Sequence, residues 1–242
     1  MKALDNLARV VAVVTLAVML VGAGLGACCL RPTTYLLAQA TSNEAVSPYS
    51  KDALVGLALL TRDYTVDGTD RDATMDTIAQ AASDVAPSVA NSSDKQAALA
   101  KLGERYTLTD DALDHLDDVY RVISAARWAF LIVGIACVAA LAHLFVRCGK
   151  ADFAAALRRA AIAVVAVFAV LAAWVLIDFD GFFAAFHSLF FASGTWTFSW
   201  DSLLICMYPP DFWMGMGAVW LAVTVAACAV CFIIGWLMRK RA

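Results

Sequence analysis

The sequence predicts an all-α membrane protein: four transmembrane helices, a long extracytoplasmic segment after the first, and an aromatic extracytoplasmic connector before the last. Three observations carry this reading. Hydrophobic residues make up 62% of the chain and charged ones 16%, against the roughly 25% charged of an ordinary soluble domain. Four runs, Val10–Leu30, Trp128–Val146, Ala160–Ile177 and Phe212–Met238, contain no Asp, Glu, Lys or Arg, and about 20 apolar residues take a helix across the hydrocarbon. The basic residues near the span ends gather on one side, which sets the orientation.

That side holds Lys2 and Arg9, then Arg147, Lys150, Arg158 and Arg159, then Arg239, Lys240 and Arg241. Both termini and the connector between the second and third spans are therefore expected to be cytoplasmic (about 1–9, 147–159 and 239–242). Residues 31–122 and 181–212 are expected outside, with spans at about 10–30, 124–146, 160–180 and 213–238 of a single integral membrane domain over 1–242. From Arg31 to Val122 the acidic residues outnumber the basic ones 15 to 8. The first run follows a charged start, and Leu25-Gly26-Ala27-Cys28 resembles a lipoprotein cleavage box. Its length exceeds the 7–15 residues of a signal-peptide core, so an uncleaved signal-anchor helix is expected.

The outer segment opens with a polar stretch broken by Pro32 and Pro48. Ser50 then caps a short helix in which Leu54, Leu57 and Leu60 recur at helical spacing, too short to span and expected to pack on the outer surface of the bundle. Asp67-Gly68 marks a turn. The alanine-rich stretch from Ala73 to Ala100, divided by Pro87, reads as weak helices or a mobile insertion. Thr109 caps the next helix, whose Asp110 and Asp111 suit the positive end of a helix dipole. Leu113, Leu116, Tyr120 and Ile123 mark its apolar face, and it is expected to run on into the second span. His115 lies off that face; Arg121 can pair with Asp117 or Asp118, four and three residues before it.

The connector from Phe186 to Trp213 carries nine aromatic residues, one His, two Asp and no Lys or Arg. Trp and Tyr favour the membrane interface, so the stretch reads either as a pocket or re-entrant segment or as an interfacial amphipathic connector.

His115 and His187 fall on the same, outward side. Imidazole moves protons in either direction near neutrality, so two can divide acid and base work, with Asp114, Asp117, Asp118 or Asp201 available to orient them. Against this stands a solvated His115 on an acidic helix. His115, Asp118, His187 and Asp201 are also metal-ligand types, but no HxH or HExxH spacing supports a metal. No GxSxG elbow surrounds Ser188 or Cys206. His143, inside the second span and four residues from Arg147, is expected to be structural or interfacial. The seven cysteines give no metal spacing; Cys28, Cys29 and Cys206 lie where a disulfide could form. No cofactor is called for, and nothing points to nucleic acid.

Two elements resemble a known family. Asp114-His115-Leu116-Asp117-Asp118-Val119 is similar to its H-[ML]-x-D-V element. Phe186-His187-Ser188-Leu189-Phe190-Phe191, with Trp196-Thr197-Phe198, Asp201-Ser202-Leu203-Leu204-Ile205 and Tyr208-Pro209-x-x-Phe212-Trp213, resembles its second. The family is the four-span integral membrane proteins of Gram-positive bacteria that includes the lipoprotein intramolecular transacylase. Tyr120 departs from the pattern, where a basic residue is expected, and Ala73 to Ala100 has no counterpart in it. The resemblance implies transfer of the sn-2 acyl chain of a diacylglyceryl-cysteine to that cysteine's α-amino group. The partners it implies are membrane-anchored diacylated lipoproteins and the bilayer itself. It implies His115 and His187 as catalytic, and Asp118, Arg121, Trp196 and Asp201 as orienting or substrate-positioning groups. Two other classes fit the same inventory: a non-catalytic accessory or scaffold protein, and a metal-dependent membrane hydrolase.

Overall fold

The structure, a computed structural model, describes residues 2–240, and among these every regular element is helical. Four helices are long and apolar enough to cross a membrane: α1 (Lys2–Cys28), α7 (Asp110–His143, continued by a π turn at Leu144–Cys148), α8 (Lys150–Ile177) and α11 (Pro210–Lys240). The shorter helices are α2 (Arg31–Thr41), α3 (Lys51–Arg62), α4 (Arg71–Ser83), α5 (Pro87–Ala90), α6 (Lys95–Ala100), α9 (Phe179–Ser188) and α10 (Leu203–Met207). As expected, α7 runs without a break from the acidic turn into the second apolar run. The third apolar helix stops at Ile177. Asp178 then leaves helical geometry and its carboxylate accepts from the Gly181 amide at 2.8 Å, starting α9, a helix that the apolar patterning alone did not separate from the span.

The chain divides into two compact units. The first comprises the residues up to Cys28, Ala125–Ala184 and the residues from Ala218 on. Its interior is built from small and medium apolar side chains, with Ala12, Ala154 and Ala160 fully buried beside Leu16, Leu144, Val164 and Phe168. In lipid, helices associate through close packing rather than by expelling water, so small residues belong at the contacts. Gly24 shows the point: a Cβ there would lie 2.4 Å from the Trp220 ring and 2.3 Å from the Thr224 hydroxyl. Ile135, Val138, Leu176 and Ile177 are exposed, as apolar side chains facing lipid should be.

The second unit comprises Cys29–Ser124 and Ala185–Gly217, and its core joins the two segments. Ser50 caps α3 by accepting from the Ala53 amide. Leu54, Val55, Leu57 and Ala58 are buried, so α3 packs within the unit's core. Thr109 likewise accepts from the Ala112 amide at the start of α7. The alanine-rich stretch takes the helical alternative. Asp70 and Asp94 cap α4 and α6, Pro87 occupies the first turn of α5, and Ile78, Ala79, Ala82, Val89 and Leu99 enter the core.

Connector helix α10 has Leu203 and Met207 fully buried and is tied to the other segment through backbone groups. Its Leu203 amide donates to the Glu104 carbonyl at 2.7 Å, and its Cys206 carbonyl accepts from the Asn43 amide at 2.8 Å. Tyr208 follows it into the core, where its hydroxyl lies 2.7 Å from the Thr61 hydroxyl and donates to the Ala58 carbonyl at 2.5 Å. The carbonyl and the threonine keep partners within the helix without it, so Tyr208→Phe should cost about 0.5–1.5 kcal/mol, the net value of such a bond. Thermal unfolding in detergent micelles, followed by circular dichroism, checks this as a lowered midpoint with native helix content retained.

Candidate active site

His115 stands in the second turn of α7, between the buried Leu113 and Leu116. His187 is buried near the C-terminal end of α9. The two imidazoles, 72 residues apart in sequence, come within 6.4 Å centre to centre, inclined by 28°. The aromatic connector encloses them. Phe191 meets His115 edge-on at 4.9 Å and lies 5.7 Å from His187, Phe198 lies 5.7 Å from His115, and Trp196 lies 4.9 Å from His187. Aromatic rings at these separations give packing with defined orientation rather than mere filling. Rings of this stretch thus pack against both histidines.

The surroundings act on the charge of His115. Burial first and the proximity of His187 second push its pKa down, and the field of Asp118 opposes both; together they lower it from the ordinary 6.5 to about 4. His115 is thus neutral at pH 7, and the pair resists carrying two protons. Its Nδ1 is buried and receives no hydrogen bond among the described residues. An unpaired polar atom in such a place costs stability.

Of the other residues singled out from sequence, Trp196 belongs to the ring cluster. Asp118 pairs with Arg121 at 3.0 Å. Asp201 pairs with Arg105 at 3.5 Å, so it also ties the connector to the preceding segment. Asp114 and Asp117 turn to Arg71, each at 3.2 Å, and Asp117 also accepts from the Tyr64 hydroxyl. The four metal-ligand types named above do not form a coordinating cluster. The third histidine pairs elsewhere, with its Nε2 2.9 Å from the Asp5 carboxylate. Sequence reasoning did not single out Phe191 and Phe198 as ring neighbours of the histidines, nor Arg71 and Tyr64 as partners of the acidic turn. The aromatic clustering was the available signal for the first pair; only the fold reveals the second.

Residues 58–213, which include both histidines and the enclosing rings, match the family model of the lipoprotein intramolecular transacylase Lit. The chain belongs to this family. Among solved structures it is similar to the membrane integral lipoprotein intramolecular transacylase Lit from Bacillus cereus, with a TM-score of 0.75 and 14% identity over 100% of this chain and 98% of that one. It is also similar to forms of that protein with one histidine replaced by arginine (TM-score 0.70, 14% identity, 99% and 94% covered) or by alanine (0.70, 14%, 99% and 96%). At this identity the likeness shows a shared fold: an all-helical, membrane-integral one. No curated protein sequence matches the chain.

The depressed pKa of His115 has a stability consequence. The unfolded chain takes up this proton near pH 6.5 and the folded chain only near 4, so the stability present above pH 6.5 is lost as pH falls towards 4. Replacing His115 with Gln removes this contribution. Unfolding midpoints measured from pH 7 to 4 should therefore converge, with wild type losing more stability than His115→Gln over that interval.

Proposed function

We propose that the chain catalyses an intramolecular O-to-N acyl transfer. In this reaction the sn-2 acyl chain of a diacylglyceryl-cysteine moves to that cysteine's own α-amino group, giving the lyso-form lipoprotein. The supporting observation is the pair of stacked, ring-enclosed imidazoles inside the region that matches the family. Ester to amide is downhill, and nucleophile and electrophile share one molecule. The protein therefore has to supply orientation and proton transfer, and orientation alone is worth several kcal/mol.

In this reading the neutral substrate amine attacks the ester carbonyl, forming the N–C bond and an oxyanion with a positively charged nitrogen. That nitrogen's proton is far more acidic than an ordinary ammonium proton, so a neutral His115 of low basicity accepts it, its unpaired Nδ1 being the atom available. His187 stabilises the oxyanion and gives its proton to the departing glycerol oxygen as the C–O bond breaks. One proton enters the pair and one leaves it, which matches a pair that resists double protonation. Trp196 fixes the His187 ring, Asp118 supports charge on His115, and Arg121 and Asp201 position the substrate.

The substrates are membrane-anchored diacylated lipoproteins, met at the outer face. Residues 31–122 and 181–212 lie outside, and both termini with 147–159 lie in the cytoplasm, an assignment resting on the grouped basic residues. The whole chain works as one integral membrane domain.

Mass spectrometry of a lipoprotein N-terminus tests the reading in cells that supply the diacylglyceryl form. Wild type should yield N-acyl-S-monoacylglyceryl cysteine. His115→Ala and His187→Ala should each lower the yield rate by about 100- to 10,000-fold, the range for a lost acid or base. Unchanged conversion in both variants would make the histidines structural. A diacyl form left untouched by wild type would remove the activity altogether.

A further inference from the structure

Away from the histidine pair, in the first unit, three side chains of metal-ligating type converge. One ligand atom from each of Asp5, His143 and Cys148 lies within 4.8 Å of the others. Asp5 comes from the start of α1, His143 is the last residue of α7, and Cys148 closes the π turn that follows. The geometry points to a binding site for a single borderline divalent transition ion of the Zn²⁺ class, held by one carboxylate oxygen, one imidazole nitrogen and one thiolate.

The backbone is the first argument. Residues five apart on an α-helix stand about 140° apart around the axis and do not face one another. The Leu144–Cys148 segment is instead a π turn, whose five-residue hydrogen bonding, seen in the Gly149 amide donating to the Leu144 carbonyl at 2.9 Å, stacks such residues one above the other. His143 and Cys148 thus share a side. Gly149 follows with a φ of 92°, a left-handed value that lets the chain turn at once into α8. π turns of this kind concentrate at functional sites.

The side chains are the second argument. A simple lock between α1 and α7 would need only the 2.9 Å contact of His143 Nε2 with Asp5 Oδ1. Here the Cys148 sulfur also lies within 4.8 Å of a carboxylate oxygen of Asp5 and of the imidazole nitrogen, so two proton-bearing groups converge on one carboxylate, an arrangement in which an ion can replace the protons. Mixed N, S and O donors suit zinc better than hard cations such as magnesium or calcium. Three protein ligands leave one position for water, and a cavity of about 240 Å³ lined by Leu4, Asp5, His143, Val146 and Arg147 adjoins them. Charge does not oppose the ion. Carboxylate and thiolate neutralise Zn²⁺, so Arg147 at the cavity meets no net positive charge. Arg9 is engaged by Asp152 at 2.9 Å and so does not compete for Asp5 as its main partner.

Full-length protein, chelator-stripped, freed of affinity tags and held in detergent, is titrated with Zn²⁺ by calorimetry and with Co²⁺ by absorption spectroscopy. One equivalent of Zn²⁺ should bind, and Co²⁺ should give a thiolate-to-metal charge-transfer band with tetrahedral d–d bands. Cys148→Ser, close to isosteric, should abolish the charge-transfer band. His143→Ala should weaken Zn²⁺ binding by about 100-fold or more, at or above the upper end of what loss of an outer-shell partner costs. Zn²⁺ should also raise the unfolding midpoint of wild type and not of Cys148→Ser, the two metal-free midpoints being equal. No stoichiometric binding, or binding that survives both substitutions, would overturn the site. The acyl-transfer reading is unaffected by either result.

Discussion

The second unit depends on the burial of one short helix. α10 contributes Leu203 and Met207 as fully buried side chains, and its backbone bonds to Glu104 and Asn43 on the other segment. Five residues would not hold a helix in water, where nucleation is unfavourable and short helices are marginal. Ser202 satisfies the first turn by accepting from the Ile205 amide, and tertiary contacts do the rest. Because α10 is pinned in this way, the rings before it are held at a fixed place on α7.

Electrostatics then separates the two histidines from ordinary surface residues. An exposed pair would titrate near the usual value and share its charges with water. Here burial is the largest influence on His115, the neighbouring imidazole the second, and the carboxylate of Asp118 a smaller opposing one. A low-dielectric aromatic enclosure makes each charge more costly and each partner more effective. The neighbouring His187 thereby disfavours a proton on His115.

How much of this was legible in the sequence varied with the range of the interaction. Spans, caps and the acidic helix start were readable because they depend on neighbours within a turn or on composition over about twenty residues. Ser50 and Thr109 cap the helices assigned to them. His187 and Trp196 were readable because the aromatic connector is so unlike an ordinary loop, and His115 because it falls on the same outward side in an element that resembles the family's. The start of α9 was not, because Asp178 and Gly181 form a local hydrogen bond inside a run whose hydropathy does not change sharply. Nor was the weight of α3, since an amphipathic eight-residue run looks the same on a surface as in a core. The pairings of Arg71 and Arg105 join residues tens of positions apart, and no local pattern encodes them.

The alanine-rich stretch gains a role from one of those distant pairings. Asp110, Asp114, Asp117 and Asp118 stand three or four residues apart on α7, and like charges at that spacing weaken a helix by a few tenths of a kcal/mol each. Arg71, the first residue of α4, lies 3.2–3.5 Å from Asp110, Asp114 and Asp117 and offsets that repulsion. The Tyr64 hydroxyl donates to Asp117 as well, and burial together with that carboxylate pushes the phenol up to about 12, so it remains a donor at any physiological pH. Ile78, Val89 and Leu99 hold the stretch that follows Arg71 in the core. Asp118, paired with Arg121 instead, is the carboxylate whose field raises the pKa of His115, and burial together with the neighbouring imidazole outweighs it. The neutrality of this histidine on an acidic helix therefore comes from where the ring is buried, not from a lack of nearby negative charge.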